Sequence, residues 1–404
     1  MSGRVSGKIV GKGGVIAASV MVGIGNNVIR VVLVVLFLAG SCVDPYRPPE
    51  ISAPNKFLVV DGFLNGLGIS TVRLSRTQNL TENKKPPVET RAIVQVEDEK
   101  GTGHTFVDQG DGTYTLEQGR LQMGQTYRLK IQTAAGRNYA SDYVTIKRTP
   151  PIDDLSWKAR EDGVQFYVST HDETNNTRYY RWEYEETWEY YSAYYSQFKY
   201  LKTQFLYRED NINHCWRTDK SNSVSVATSD KLSQDVIARF PLTFVSASAS
   251  NRLKVRYSIL VKQYALTAEA FDYWQNLKKN TEMLGSLFDP QPFQAAGNIH
   301  GITDPDEPVV GYLNSHSMEE KRVFIESSEL PSWRIPNGYE ACEADTYLLK
   351  PPPTEVSAVA MGEAGFIPID AVLNSIGNVH GYRMASPACV DCRVVGTNVK
   401  PSFW

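Results

Sequence analysis

Four cysteines in the second half of the chain are the residues whose spacing most suggests chemistry. Cys389 and Cys392 have the C-x-x-C spacing of redox motifs and zinc knuckles. A zinc site would need Cys215 and Cys342 to converge on this pair, because no histidine adjoins it. A redox site would need the N-terminus of a helix beneath the first cysteine. Pro387 and the residues after Cys392 instead predict a loop that leads into a strand.

A fifth cysteine, Cys42, follows an apolar segment near the N-terminus and is a candidate for lipid attachment. The segment Val31–Leu38 is preceded by Arg30 and followed by the small residues 39–41. A basic residue, a short apolar run and small residues are typical of a secretory signal. The run is far shorter than the roughly 20 residues that cross a bilayer as a helix. Residues 39–42 resemble the lipobox of bacterial lipoproteins, in which the cysteine is acylated; an ordinary signal peptide with a chance cysteine is the alternative.

Cleavage before Cys42 would define the length and charge of the mature protein. We expect residues 1–41 to be removed as a signal peptide. Residues 1–20 have no clear role in such a signal, so we expect translation to start at Met21. Cleavage leaves 363 residues, and the loss of four basic and no acidic side chains changes the net charge from −3 to −7. A moderately acidic chain without a basic run is a poor partner for nucleic acid or anionic lipid headgroups. The acyl chains on Cys42 are therefore the expected membrane attachment.

Export to an oxidising compartment favours disulfides for the other four cysteines. An even number of cysteines in an exported chain is typical of structural disulfides. We predict two disulfides, with a zinc site and redox-active or free thiols as alternatives. Four cysteines allow three pairings, and the sequence does not choose among them. The disulfide candidates are Cys215, Cys342, Cys389 and Cys392.

The strongest anomaly in composition lies between Tyr179 and Tyr200, where eleven of twenty-two residues are aromatic. The first of these aromatic residues alternate with charged ones, as on a strand with one buried face. We interpret the residues from Trp188 onward as having lost this alternation. Tyrosine-rich loops provide large, stiff contact areas for recognition, but such rings also cover joins between sheets or domains. The candidate ligand or partner residues are Trp188, Tyr190, Tyr191, Tyr194 and Tyr195.

Motifs for catalysis or metal binding do not stand out elsewhere in the sequence. The chain has no G-x-S-x-G, H-E-x-x-H, P-loop or Rossmann glycine pattern, so we predict no cofactor, no metal and no enzymatic activity. Asp108–Gly112 hints at a calcium loop, but it has too few ligands and a hairpin turn explains it. His300 near Asp304 and Asp306 hints at a metal site, but a polar turn explains these acids.

Period-two strands bounded by turns dominate the chain and must position these residues. Residues 42–55 are rich in proline and predict an extended tether. Residues 56–149 hold about seven short, closely spaced strands, which indicates an immunoglobulin-like β-sandwich. The prolines at 150 and 151 interrupt the pattern, because proline cannot donate to a strand ladder, and they predict a domain boundary.

Residues 150–404 predict a second, larger domain that resembles a β-sandwich. A helix is predicted over about 267–287, with Thr267 at its N-cap and an apolar stripe from Phe271 onward. Residues 327–375 are rich in proline and aperiodic, which predicts a long ordered loop. The predicted fold class is therefore mainly β, with two sandwiches, one helical insertion and long loops.

Several short motifs are distributed along the chain from the lipobox to its last residue. They are Cys42–Tyr46, Leu58–Gly62, Leu74–Thr77, Cys215–Trp216, Gly297–Ile299, Val310–Tyr312, Cys389–Arg393 and Lys400–Trp404. Together they resemble a family of lipoproteins of Bacteroidota, the domain of unknown function 4249. The resemblance covers nearly all of the expected mature chain.

This resemblance implies a location and a context, since no activity is established for the family. It implies a lipid-anchored outer-membrane protein, on the cell surface or the periplasmic face, encoded beside a TonB-dependent receptor. We therefore expect a non-catalytic binding or accessory module that is partnered with a TonB-dependent outer-membrane transporter in nutrient uptake and whose ligand is a peptide or a glycan. The alternatives are a hydrolase with a dispersed active site and an adhesion or envelope scaffolding protein.

Overall fold

The computed structural model describes residues 56–78, 84–282 and 297–404. The predicted signal peptide, the lipidation site Cys42, the tether and the last residues of the predicted helix, 283–287, lie outside these ranges. In the described part of the chain, no helix is both long enough and apolar enough to cross a membrane.

Short strands joined by turns make up most of the described chain. The first nine are β1 (Leu58–Leu64), β2 (Ser70–Arg76), β3 (Ile93–Asp98), β4 (Gly103–Thr105), β5 (Val107–Asp108), β6 (Thr113–Leu116), β7 (Thr126–Gln132), β8 (Asn138–Ser141) and β9 (Val144–Thr145). The next nine are β10 (Ile152–Ala159), β11 (Gly163–His171), β12 (Tyr179–Tyr191), β13 (Phe198–Leu201), β14 (Gln204–Tyr207), β15 (His214–Lys220), β16 (Ser225–Thr228), β17 (Val236–Ser246) and β18 (Arg256–Leu266). The last six are β19 (Ile299–Gly301), β20 (Val310–Ser315), β21 (Met318–Glu326), β22 (Asp345–Leu348), β23 (Ile367–Leu373) and β24 (Val379–Ala385). The α-helices among the described residues are α1 (Ala268–Glu282), α2 (Ala358–Glu363) and α3 (Pro387–Val390).

Two sheets face each other in the N-terminal part of the described chain. One has the order β20-β1-β2-β6-β5, and the other has the order β19-β8-β7-β3-β4, with β9 beside β7. Alternate residues point into the space between the sheets, as in β1, where Leu58, Val60 and Leu64 are fully buried. A period of two is what a strand with one buried face requires. The predicted N-terminal immunoglobulin-like β-sandwich in a mainly β protein is confirmed.

Two strands of this first sandwich come from far along the chain. β20 pairs in parallel with β1, and β19 pairs with β8. The sequence prediction assigned both strands to the second domain, so that assignment of residues 299–315 is corrected. Parallel neighbours need a long crossover connection, which local periodicity does not reveal. Gly311 allows the close approach, because it has a φ of +119° and a Cβ there would overlap the carbonyl oxygen of Val60.

A second pair of sheets forms the second sandwich. One sheet has the order β10-β11-β17 and the other the order β15-β12-β18-β21, with β16 also beside β12. Their shared core contains Phe166 and Val168 from β11, Trp182 from β12, and Tyr257 and Ile259 from β18. Each of these residues lies on the inward face of its strand, as the period-two pattern requires.

Strand β12 has 13 residues and carries most of the aromatic stretch. The interpretation that its alternation is lost from Trp188 onward is wrong. Residues at even positions point inward along the whole strand, so Trp188 and Tyr190 are both buried. The strand keeps this register because it is paired with β18 through Trp188 and with β15 through Tyr191.

Helix α1 forms where the sequence predicted a helical insertion. The hydroxyl oxygen of Thr267 accepts a hydrogen bond of 3.2 Å from the backbone N–H of Ala270, as an N-cap does. On the apolar face, Phe271 lies 5.1 Å from the ring of Tyr179. The Trp274 indole donates to Asn314 of β20, at 3.0 Å. The helix therefore contacts strands of both sandwiches.

The C-terminal part contains a small sheet that the sequence did not predict. Its order is β22-β24-β23, and the separate β13–β14 hairpin packs against it through stacked rings of Phe205 and Tyr382, 3.9 Å apart. The predicted long loop over residues 327–375 is therefore wrong in part, since it holds β22, β23 and α2. β22 has only four residues. An element this short between proline-rich segments has too little periodicity to be recognised.

Candidate functional site

The structure contains the two disulfides that the sequence predicted. Cys215 is bonded to Cys392, and Cys342 is bonded to Cys389. The two cysteines of the C-x-x-C motif therefore bond to different, distant partners. The motif lies on α3 and a following 3₁₀ turn, so the predicted loop into a strand is wrong. Pro387 suits this position, because the N–H of the first helical residue has no acceptor within the helix, so nothing is lost when proline lacks it.

The two disulfides differ in their surroundings. Cys215 and Cys392 are fully buried and belong to the core of the second sandwich. Tyr190 lies opposite Cys215 in the sheet, and its hydroxyl donates to the backbone carbonyl of Cys392 at 2.6 Å. Burial raises the pKa of Tyr190 to about 12, so it stays a neutral donor. The other disulfide is half-buried at Cys342 and faces an open space.

That space is a cleft of about 480 Å³ at the C-terminal end of β12. We call it the aromatic cleft. It lies between the sheet at β12 and β15, the segment 338–342, and the start of α3. Its lining residues are Trp188, Tyr190, Arg217, Asn251, Gly338, Tyr339, Ala341, Cys342, Ala388, Cys389 and Val395. The Cys342–Cys389 disulfide is part of this lining and ties the segment 338–342 to α3.

Charged groups surround Trp188 at the base of the cleft. The guanidinium carbons of Arg217 and Arg252 lie 5.4 Å and 5.1 Å from the centre of its ring. Arg252 donates to the buried carboxylate of Glu186 at 2.8 Å, and Tyr257 donates to the same carboxylate at 2.5 Å. These bonds satisfy the buried charge and hold Arg252 near the indole ring.

Hydrogen bonds also hold the segment that forms the other wall. The Asn251 side chain donates to the backbone carbonyl of Asn337 at 3.2 Å, and Lys254 donates to that of Ile335 at 3.1 Å. Tyr194 donates from its hydroxyl to the carbonyl of Cys342, at 3.0 Å. These contacts and the disulfide position a segment that has no regular secondary structure of its own.

The five predicted ligand or partner residues therefore divide into three groups. Trp188 and Tyr190 line the cleft, and Tyr194 supports its wall from behind. Tyr191 and Tyr195 lie outside the cleft and are 46% and 61% exposed. Tyr191 stacks on His214 with 4.5 Å between the ring centres, so it is exposed on one side and ordered on the other.

Sequence reasoning missed most of the other residues that line the cleft. Arg217 lies in β15 and Asn251 in the segment before β18, and no sequence motif marks either residue. Tyr339 and Ala341 sit in the stretch that was interpreted as an aperiodic loop. For these residues the available sequence signal is the pair Cys342 and Cys389, whose disulfide joins two walls of the cleft. The sequence does not predict that these two cysteines pair.

The two weaker metal candidates have ordinary structural explanations. Asp108 and Asp111 accept hydrogen bonds from the backbone N–H groups of Gly110 and Thr113, at 2.7 Å and 3.0 Å, within the β5–β6 turn. His300 lies 3.2 Å from the carboxylate of Asp142. Among the residues that the structure describes, no three His, Cys, Asp or Glu side chains are grouped as metal ligands would be.

Solved structures that show weak likeness to the chain include the following two. A segment of two fibronectin type-III domains from chicken tenascin is 12% identical, and the match covers 52% of this chain and 92% of that one, with a TM-score of 0.15. The FN1–FN3 domains of chicken CNTN1 are 8% identical, covering 52% of this chain and 61% of that one, with a TM-score of 0.16. No curated protein matches the chain.

A family model does match most of the sequence. The model for the domain of unknown function DUF4249 matches residues 43–322. The matched region starts directly after Cys42 and does not include residues 323–404, which carry the C-terminal motifs and three of the disulfide cysteines. It contains all of β12, and it covers more than half of the chain. The chain belongs to the DUF4249 family.

Proposed function

We propose that the protein is a lipid-anchored module of the outer membrane that binds a ligand in the aromatic cleft without catalysing a reaction. The observation that carries this proposal is the cleft itself. Its volume of about 480 Å³ lies within the range of pockets that hold small molecules. Its lining combines aromatic and apolar groups with a few polar ones, as in most ligand sites.

Support for the lipid anchor comes from the sequence around Cys42. A basic residue, a short apolar run and small residues precede this cysteine, and the family match begins at the next residue. A cysteine acylated at that position would become the first residue of the mature protein. The Pro-rich residues 43–55 would then separate the first sandwich from the membrane.

We further propose that the module works beside a TonB-dependent transporter in nutrient uptake, as its resemblance to its family implies. Tyr191 and Tyr195 are candidate contacts for such a partner, because both are large and exposed. Tyrosine anchors often account for a large share of binding energy at protein interfaces. A lipid tether raises the effective concentration of the module near a membrane neighbour, so modest contacts suffice.

Co-purification from gently solubilised outer membrane tests this proposal. We expect the protein to be recovered with a β-barrel transporter, which mass spectrometry would identify. The matched control is Cys42→Ala, which should leave the membrane fraction or accumulate as an uncleaved precursor. Recovery of the native protein without any barrel would contradict the partnership, and unchanged cleavage and membrane retention of the variant would contradict the anchor.

A further inference from the structure

We propose that the aromatic cleft takes an amphipathic carboxylate, that is, an apolar body with a single negative group bound at Arg217. This inference rests on the proposed function, since it names the class of ligand for the same cleft.

The body of the cleft is apolar. Tyr339 is half-buried and supplies aromatic surface, to which Trp188 and Tyr190 add only their small exposed parts, 4% and 3%. Ala341, Ala388 and Val395 supply aliphatic surface, together with the Cys342–Cys389 disulfide. The Tyr190 hydroxyl does not add a polar group to the cleft, because it donates to the carbonyl of Cys392. A ligand that fills this space must therefore present apolar surface to it.

The only charge in the lining is positive. Of the described residues that line the cleft, Arg217 alone has an ionised side chain, and 43% of that side chain is exposed. Its Nε and Nη2 donate to Asp219 at 3.1 Å and 3.2 Å. Its Nη1 makes no hydrogen bond to the described chain, so one arm of the guanidinium is available to an incoming anion. Hydrogen bonds between guanidinium and carboxylate groups are about twice as strong as neutral ones.

A glycan would find little to bind in this cleft. Trp188 is only 4% exposed, and the guanidinium groups of Arg217 and Arg252 lie near its ring, so it offers no open face on which a sugar can stack. Tyr190 is 3% exposed, so of the lining rings only the half-buried Tyr339 could carry a sugar. No carboxylate lines the cleft to accept hydrogen bonds from sugar hydroxyls. Among the lining residues, Asn251 is the one with a side-chain amide, and its nitrogen already donates to the carbonyl of Asn337. The cleft therefore favours an anionic apolar group over a polyol.

Binding of small, soluble probes to the full-length lipidated protein in lipid nanodiscs tests the inference. Titration calorimetry would compare 3-phenylpropionate, which represents a free metabolite, with glycyl-glycyl-phenylalanine, which represents a peptide C-terminus. The corresponding amides and maltotetraose complete the set. We expect at least one carboxylate to bind about tenfold more tightly than its amide, because only the carboxylate gains a charge-assisted hydrogen bond. The stronger of the two carboxylates identifies the source of the ligand.

Two variants locate the binding. Arg217→Gln should abolish the preference for carboxylate over amide while leaving weak binding of the apolar body. Ala341→Trp should remove binding of every probe, because the exposed alanine is replaced by a ring that fills the cleft. Ala135→Trp is the matched control, since it adds the same ring to an exposed turn of the first sandwich. The melting temperature of each variant shows whether it is folded.

The outcomes separate this inference from the proposed function. Equal affinity for carboxylate and amide, or a preference that survives Arg217→Gln, would overturn the inference. Binding of maltotetraose that Ala341→Trp removes would overturn it too, while leaving the cleft as a ligand site. If no probe binds but the barrel still co-purifies, the inference fails and the partnership stands. If Ala341→Trp fails to fold, the Arg217→Gln result still decides.

Discussion

The two ends of strand β12 have similar residues but different surroundings. At the N-terminal end, Trp182 stacks on Phe240 of the opposite sheet, 4.8 Å away, and the rings fill the sandwich core. At the C-terminal end, Trp188 and Tyr190 line a cleft whose far wall is an irregular segment held by a disulfide. The alternation of inward and outward residues is the same in both halves of β12. What covers the strand thus decides whether inward-facing aromatic residues form core or a candidate site.

The largest effect is expected at the core end. Trp182 is almost fully buried, and its indole N–H donates to Gln263 at 2.8 Å. Trp182→Ala should lower the free energy of unfolding by roughly 3–5 kcal/mol, because it leaves a large cavity. Urea unfolding followed by circular dichroism would measure this. Trp182→Phe should cost clearly less, and equal losses for both variants would show that the ring's packing is not the cause.

A smaller loss is expected when the cleft wall is released. Replacing both Cys342 and Cys389 with alanine should cost about 2–4 kcal/mol, as for a typical disulfide. The same change at Cys215 and Cys392 should cost about 1 kcal/mol more, since that bond closes the longer loop. Because Cys342 is half-buried and the other pair is fully buried, a mild dithiol should reduce Cys342–Cys389 first. Alkylation and peptide mapping would give the order, and reduction of the buried bond first would contradict it.

A single hydroxyl provides a finer comparison of the two ends. Tyr190→Phe removes the buried hydrogen bond to the carbonyl of Cys392 and should cost about 1 kcal/mol. Tyr184→Phe is the matched change near the core end, where the hydroxyl is 2.9 Å from that of Thr243. We expect a similar or smaller cost there, because the Thr243 hydroxyl can rotate toward another acceptor. No change in unfolding free energy for Tyr190→Phe would show that its hydroxyl does not hold the Cys392 turn.

The smallest effect on stability is expected at the last residue of β12 and just after the strand. Tyr191→Ala and Tyr195→Ala should change the free energy of unfolding by less than about 0.5 kcal/mol, because both rings are exposed. If these rings contact the partner, recovery of the barrel should fall in the double variant. Tyr194→Ala is the contrasting variant, since that side chain hydrogen-bonds to Cys342 and should cost stability. Undiminished recovery of the barrel would show that Tyr191 and Tyr195 are not contacts.

Local patterns in the sequence predicted the parts of the fold that depend on local physics. The strands of the first sandwich alternate in polarity, and Thr267 marks the start of α1. The number of disulfides followed from export and an even count of cysteines. The aromatic stretch correctly indicated the region of β12. Of its five candidate residues, however, only two line the cleft and a third supports its wall.

The remainder depends on contacts between distant residues. The pairing of Cys215 with Cys392 spans 177 residues, and no local pattern encodes it. The small C-terminal sheet consists of strands of four to seven residues, one of which contains Pro368. The cleft combines β12 and β15 with a segment more than 100 residues later, so its lining could be recognised only after the chain was folded.

The parallel pairing of β1 with β20 has a consequence for the order in which the chain acquires its structure. β1 begins at residue 58, whereas its neighbour in the sheet ends at residue 315. During synthesis from the N-terminus, β1 can pair with β2 early. The strand on the other side of β1, which is β20, is made only about 250 residues later. Contacts this distant in sequence form slowly, because a long loop must close first. The first sandwich to emerge is thus completed late, and a chain that stops before residue 299 would leave β1 and β8 each with an open edge.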